Sequence, residues 1–271
     1  MTPDEPDAGD LSVGLEILVH AIVGVPTIDR GDDLVEVIVS SLERASVELH
    51  DGDVLVVASK IVSRAEDCFV DLSTVEPTEA AKALGVEVEK DPRLVELILR
   101  ESESVSRRTK GALIVRHRLG FVSANAGIDA SNAAPTGAPD DSGPWVLTLP
   151  RDPDATARTL CERLTKHFSA DVGVIVTDSW GRPFRRGTVG FALGSSGIPP
   201  MWDRRGTRDR HGRELEATET ATADAVAAAA DLVAGQADES RPLILVRGLR
   251  FEPSSESSRA LLRDPENDLY A

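Results

Sequence analysis

The chain is expected to adopt an α+β fold, on three observations. Helical and extended patterns are interspersed, but they never settle into the β-α-β-α rhythm of a doubly wound parallel sheet. No GxGxxG fingerprint follows a strand and no GxxxxGK[ST] loop occurs, so neither a Rossmann nor a P-loop fold is predicted. At 271 residues with 41% hydrophobic content, the chain can bury a substantial core as one large domain or two small intertwined ones. Mixed sheets with helices, in two intertwined subdomains spanning residues 13–271, are the expected architecture.

The elements follow in order. Residues 1–12 are acidic, proline-bearing and aperiodic, and read as a disordered leader. Leu15 to Val25 is apolar and β-rich, and is broken by Gly24 and Pro26. Between Asp32 and Leu42 the apolar residues Leu34, Val35, Ile38, Val39 and Leu42 fall at helical spacing. Asp51-Gly52 signals a turn before the buried strand Val54–Ala58. Helices are predicted over Thr78–Leu84 and Pro92–Glu101, the second capped by Asp91 with Pro92 at its first position.

Ala112–Val115 and Gly120–Ser123 pattern as a hairpin that feeds a long surface loop, NAGIDASNAAPTGAPDDSGP. Trp145–Leu149 is a short strand, Asp154–Phe168 an amphipathic helix with Asp152 or Asp154 as cap, and Val172–Val176 a buried strand. Leu215–Val233 is alanine-rich and helical, Leu243–Val246 is a strand, and the tail from Ser254 is one helix with a frayed end.

Composition narrows the function. A net charge of −16 and a pI of about 4.7 argue against general binding of nucleic acid or anionic membranes. No run of about 18 apolar residues exists, which predicts no membrane span. The acidic N-terminus lacks the order of a signal peptide, so the expected location is the cytoplasm. Cys68 and Cys161 lie far apart without CxxC spacing and read as reduced thiols. The five histidines show no HxxxH or HExxH pairing, which disfavours a histidine-built zinc site.

Two features carry chemistry. Arg182, Arg185, Arg186, Arg204, Arg205, Arg208, Arg210 and Arg213 reverse the local sign of this acidic chain, against only Asp203 and Asp209 in the same stretch. Guanidinium forks bind phosphate and carboxylate oxygens, so the cluster is expected to be an anion clamp, with Arg182, Arg185 and Arg186 at its heart. The glycines around it (Gly181, Gly187, Gly190, Gly194 and Gly197) are expected to let backbone N–H groups approach a ligand. Asp178, just after the apolar run, and Asp129, just after the hairpin, are expected to converge on Mg²⁺ or Mn²⁺, because hard cations take oxygen ligands and share themselves with substrate phosphates.

The segments GVPTI (24–28), GDVLVVASKIVSRAE (52–66), ANAGIDASN (124–132), GVIVTDSWGRPFRRGTVGFALG (173–194) and RDRHGRELEAT (208–218) together resemble the coenzyme F420-0:L-glutamate ligase, or γ-glutamyl ligase, family. The resemblance runs from about Val13 to Leu249. It implies a homodimer that spends GTP to add L-glutamate to F420-0, then a second, γ-linked glutamate to F420-1, in coenzyme F420 biosynthesis. It implies a guanine-nucleotide site of Val25, Pro26, Thr27, Ile28, Ser59, Lys60, Arg64 and Asn132, with a loop of Ala234, Gly235, Gln236, Ala237, Asp238, Glu239, Ser240 and Arg241. Asp129 and Asp178 would be metal ligands, and Ser179 and Gln236 would meet a second metal. GTP is the implied co-substrate, and K⁺ is an accessory ion the resemblance admits.

Arg64 stands where the family more often has lysine, and the loop after Gly235 lacks further glycines. A GTP phosphohydrolase or phosphotransferase on the same scaffold, or a non-catalytic F420- or nucleotide-binding protein, are the competing expectations.

Arginine supplies 25 of the 30 basic residues, and Lys60, Lys82, Lys90, Lys110 and Lys166 are the only lysines. This acidic, lysine-poor balance predicts a protein adapted to high salt. Its thermal unfolding temperature is expected to fall on dialysis into low salt; indifference to salt, read by circular dichroism, would refute the adaptation.

Overall fold

The computed structural model describes residues 15–139, 142–264 and 266, so the acidic leader lies outside them. Strand β1 (Leu18–Ile22) ends before Gly24, whose φ of +73° turns the chain. Helix α1 (Leu34–Arg44) begins where the Asp33 carboxylate accepts from the Val35 and Glu36 N–H groups, at 2.9 and 3.3 Å. Strand β2 (Val54–Ala58) is followed directly by α2 (Ser59–Ala65), a helix that the pattern reading missed, and by β3 (Phe69–Asp71). Thr78 caps α3 (Glu79–Val88) and Asp91 caps α4 (Pro92–Arg100).

Next come β4 (Ser102–Thr109), β5 (Ala112–His117), β6 (Val122–Ala124) and β7 (Trp145–Leu147). The expected β5–β6 hairpin is present, and β4 pairs antiparallel with the other side of β5. Its polar sequence, SESVSRRT, carries no strand signal because it is a largely exposed edge.

Asp152 caps α5 (Pro153–Phe168), its side chain accepting from the Ala155 N–H. Strand β8 (Gly173–Gly181) continues well past Val176, and β9 (Thr188–Ser196) returns antiparallel to it. The ribbon β10 (Met201–Asp203) and β11 (Glu219–Ala221) delays α6 (Thr222–Ala234), which therefore starts seven residues after the expected Leu215. Strand β12 (Leu243–Arg247) and a 3-10 turn at Ser258–Leu261 close the described chain.

The main sheet has the order β1-β12-β2-β8-β9. Only β2–β8 is parallel, which sets this α+β sheet apart from a doubly wound one. Both faces are covered, and this explains the continuous apolar run VLVVA of β2. Leu55, Val57, Val174 and Val176 pack with Ile38 and Leu42 of α1 and Leu160 and Leu164 of α5. Val54, Val56, Ile175 and Ile244 pack with Val226, Ala227 and Ala230 of α6. A separate core of Leu84, Val95, Ile98, Leu113 and Val115 binds α3 and α4 to the β4–β5–β6 sheet. Among the described residues no helix is long and apolar enough to cross a membrane. Cys68 and Cys161 are both free, Cys68 buried and Cys161 half-buried.

Three of the glycines expected to face a ligand face helices and strands instead. A Cβ at Gly190 would stand 2.2 Å from the Ala227 carbonyl oxygen of α6, and one at Gly194 would stand 2.3 Å from Pro153 of α5. Gly197, with φ +77°, would meet the Val172 carbonyl at 2.4 Å. These positions let two helices sit tightly on opposite faces of β9. Gly190→Ala and Gly194→Ala are each expected to lower stability by about 2–4 kcal/mol in thermal or urea unfolding, since the colliding atoms are backbone. Gly187→Ala, with nothing within 4 Å of its Cβ, should cost only the strain of its φ of +84°; equal losses at all three positions would refute the packing role.

Candidate active site

The parallel register pairs Ala58 with Thr177 at the carboxyl ends of β2 and β8. One residue further, Ser59 and Asp178 meet, and the Ser59 hydroxyl donates to Asp178 Oδ2 at 2.8 Å. Asp178 Oδ1 accepts from the Ser179 N–H at 2.7 Å. Burial pushes the Asp178 carboxyl up to about 6, against the pull of these two hydrogen bonds, and the nearby Asp129 carboxylate pushes it further in the same direction. Asp178 thus lies inside β8 and not beyond its end as expected, because the β8–β9 ladder carries the strand on to Gly181.

Asp129 reaches the same place from the other side of the fold. Its backbone pairs with Leu147 through hydrogen bonds of 2.9 and 2.8 Å, anchoring the long loop to β7. Its Oδ2 lies 2.8 Å from Lys60 Nζ, and its Oδ1 accepts from the Ser131 N–H and hydroxyl, both at 2.7 Å. Burial would raise this carboxyl, but Lys60 and Ser131 outweigh it and hold Asp129 below the usual carboxylate value. Lys60 also donates to the Ser131 carbonyl at 2.8 Å, which fastens α2 to the loop.

Around these groups opens a cleft of about 980 Å³. Its wall takes in the expected Val25, Pro26, Thr27, Ile28, Ser59, Lys60, Arg64 and Asn132. Ala234, Gly235, Gln236, Ala237, Glu239, Ser240 and Arg241 line it as well, whereas Asp238 does not. The buried Arg64 stacks over Phe69 with its guanidinium 5.0 Å from the ring centroid. It donates to the carbonyls of Ile28, Asn132 and Ala134, and so braces the 25–28 segment against the 132–134 segment. At the cleft's far edge Ser179 Oγ donates to Gln236 Oε1 at 2.7 Å, and Gln236 Nε2 donates to Asp231 Oδ1.

The arginine clamp does not join this cleft within the chain. Arg182, Arg185 and Arg186 sit at the tip of the β8–β9 hairpin, where Arg185 and Arg186 are exposed and Arg182 donates to the Arg186 carbonyl at 3.2 Å. Three further residue pairs separate Asp178 from the tip, a distance of roughly 10 Å at strand rise. The other arginines belong to the β10–β11 excursion. There Arg205 pairs with Asp203 at 2.6 Å and Glu219 at 3.2 Å, and Arg204 lies over Trp202.

The groups able to hold a cation are all oxygens: the Asp129 and Asp178 carboxylates, Ser179 Oγ and Gln236 Oε1. Such a set suits a hard divalent ion. Among the described residues no three His, Cys, Asp or Glu side chains gather as a metal site, so hydroxyl, amide and substrate oxygens would complete the coordination. The sequence reading missed Asp231 and Ser131. The signal for Asp231 was an acid in the last turn of an alanine-rich helix, where the helix dipole disfavours it.

Comparison with known proteins follows the same residues. A family model described as F420-0:gamma-glutamyl ligase matches residues 23–248. The coenzyme F420:L-glutamate ligase of Methanopyrus kandleri is 47% identical over 245 residues, covering 89% of this chain and 92% of its own. That of Methanothermobacter thermautotrophicus is 41% identical over 251 residues, covering 92% and 96%. That of Haloarcula marismortui is 40% identical over 257 residues, covering 93% and 94%. With the match extending over most of its length, the chain belongs to the F420-0:γ-glutamyl ligase family.

Proposed function

We propose that this protein is a GTP-dependent ligase that joins L-glutamate to coenzyme F420-0, and a second, γ-linked glutamate to F420-1, through an acyl phosphate. The observation that carries the reading is the convergence of five separate stretches on one cleft. Residues 25–28, 59–64, 129–132, 177–179 and 234–241 all contribute to it, and Asp129, Asp178 and Lys60 stand together there. The cleft is near the upper end of the roughly 300–1,000 Å³ usual for ligand sites, which leaves room for a nucleotide with a second substrate. The relatives' activity supports the substrate pair.

A carboxylate is a poor electrophile, so amide formation needs activation. A carboxylate oxygen of F420-0 attacks the γ-phosphorus of GTP, the bond from that phosphorus to the bridging oxygen breaks, and GDP leaves. The glutamate amine then attacks the acyl carbon, inorganic phosphate departs with the acyl–oxygen bond, and the amine loses its proton to give the amide. The chain contributes positioning and charge, the main requirements of phosphoryl transfer. Lys60 is the cation nearest the two aspartates, and Arg64 holds the two wall segments in register. Asp129, Asp178, Ser179 and Gln236 would hold Mg²⁺ or Mn²⁺, which neutralises phosphate charge when bound. The oxygen-only character of these four groups supports the assignment, since hard divalent ions take oxygen ligands.

Purified protein with GTP, Mn²⁺ or Mg²⁺, and glutamate is expected to convert F420-0 to products heavier by one and then two glutamyl units in mass spectrometry. Phosphate release that proceeds in full without F420-0 or glutamate would instead identify a phosphohydrolase.

Asp178→Asn is expected to abolish turnover while raising metal-free stability at neutral pH. The folded-state pKa of Asp178, about 6, exceeds its ordinary 3.8, so the folded protein binds this proton more tightly than the unfolded chain. Wild type therefore loses stability as pH rises from about 4 to 6, and the asparagine variant does not. The variant should gain on the order of 1–3 kcal/mol at pH 7.5 and nothing below pH 4. Unfolding curves at the two pH values check this, and a stability gain independent of pH would refute it.

A further inference from the structure

We infer that Asp231 is a positioning residue that fixes the polarity of Gln236 and Ser179, so that both present oxygen lone pairs to a divalent cation. The inference rests on the reading of this cleft as a metal-dependent ligase site and adds to it a residue that the metal ligand set does not contain.

Each group is limited in the hydrogen bonds it can make. A carboxylate only accepts, whereas a glutamine amide has a donating nitrogen at one end and an accepting oxygen at the other. Gln236 lies between Asp231 and Ser179. Asp231 can bond only to the NH₂ end, so Oε1 must turn to the other side, where the Ser179 hydroxyl donates to it at 2.7 Å. The serine proton is thereby committed, and the free lone pairs of Ser179 Oγ and Gln236 Oε1 are left to the cleft beside Asp178. With the amide reversed, that edge would offer N–H groups, which repel a cation. The relay thus runs in one direction, from serine to glutamine to aspartate, and its sense is set by the one member that cannot donate.

The placement of Asp231 points the same way. It occupies the last turn of α6, where the helix dipole is unfavourable to an acid, and that turn contains no basic residue. Among the described residues no arginine or lysine pairs with it; Arg241, the nearby cation, donates to the Val233 carbonyl at 3.1 Å instead. Gly235 then turns the chain with φ +80°, and a Cβ there would strike the Glu239 carboxylate at 2.2–2.7 Å. This turn brings Gln236 back over the helix end to reach Asp231. A carboxylate that opposes its helix dipole and has an amide as its hydrogen-bond donor is explained by its hold on that amide.

The test is Mn²⁺ affinity of the full chain, followed by isothermal titration calorimetry and by the Mn²⁺ electron paramagnetic resonance signal. Asp231→Ala is expected to weaken Mn²⁺ binding about 10–100-fold, the range for loss of a partner that orients a metal ligand. Asp231→Asn can donate as well as accept, so it no longer dictates which end of the Gln236 amide turns to Ser179, and is expected to weaken Mn²⁺ binding in the same direction as the alanine variant. An asparagine variant that binds Mn²⁺ like wild type would overturn the positioning role; so would an asparagine variant that weakens binding equally in a Gln236→Ala background, where positioning predicts no further loss and charge alone predicts the same loss. An alanine variant that binds like wild type would overturn it as well, while leaving the ligase reading intact. Wild type that binds no Mn²⁺, with or without GTP, would instead remove the metal reading beneath both. The asparagine variant is nearly isosteric, so the comparison survives even if the alanine variant folds poorly.

Discussion

The parallel pairing of β2 with β8 is the constraint on which the rest of the structure depends. Parallel neighbours point their carboxyl ends the same way, so Ser59 and Asp178, far apart in sequence, emerge side by side and bond at 2.8 Å. The pair sits at the middle of a sheet whose two faces are closed by α1 and α5 on one side and α6 on the other. That burial also desolvates the Asp178 carboxyl. The bidentate Arg247–Asp53 pair, at 2.8 and 2.6 Å, fastens β12 to the amino-terminal end of β2. Asp53 is almost fully buried, so loss of its partner would leave a stranded charge.

Everything else in the site is delivered to this pair. The chain leaves β2 through α2, builds the α3–α4 layer and its small sheets, and comes back with Asp129 held by the bridge to Leu147. Lys60 closes the circuit, because it lies one residue after Ser59 and reaches the returning loop at both Asp129 and Ser131. Arg64, one turn further along α2, does the same for the 25–28 segment. A seven-residue helix therefore links three of the five stretches that line the cleft, and its hydrogen bonds explain how loops of little regular structure keep a defined shape.

The charge distribution explains why the arginines stand apart. Set against Asp129 and Asp178 within one chain, Arg182, Arg185 and Arg186 would neutralise both carboxylates with protein cations. The hairpin instead carries them roughly 10 Å past Asp178. The β10–β11 arginines are partly spent on Asp203, Glu219 and Trp202. What remains in the cleft is a mixed surface, with Lys60, Arg64 and Arg241 beside Asp129, Asp178, Asp231 and Glu239.

Local chemistry in the sequence determined a good deal. Asp91 and Asp152 were legible as caps because capping needs only a carboxylate next to free N–H groups. The runs VLVVA and LILV were legible as buried strands because strands covered on both faces contain few polar residues. The α+β class and the approach of Asp129 and Asp178 to one cleft followed from pattern and motif. Tertiary structure alone decided the rest. Strand β4 is polar because it is an edge, and β9 is glycine-bearing because two helices press on it; neither cause is visible along the chain. The sequence could not show that Gly190 and Gly194 meet helices and no ligand, since both uses of glycine exploit the same missing Cβ. Nor could it show that Asp231 governs Gln236, because the direction of a hydrogen bond depends on which partners the fold brings within 3 Å.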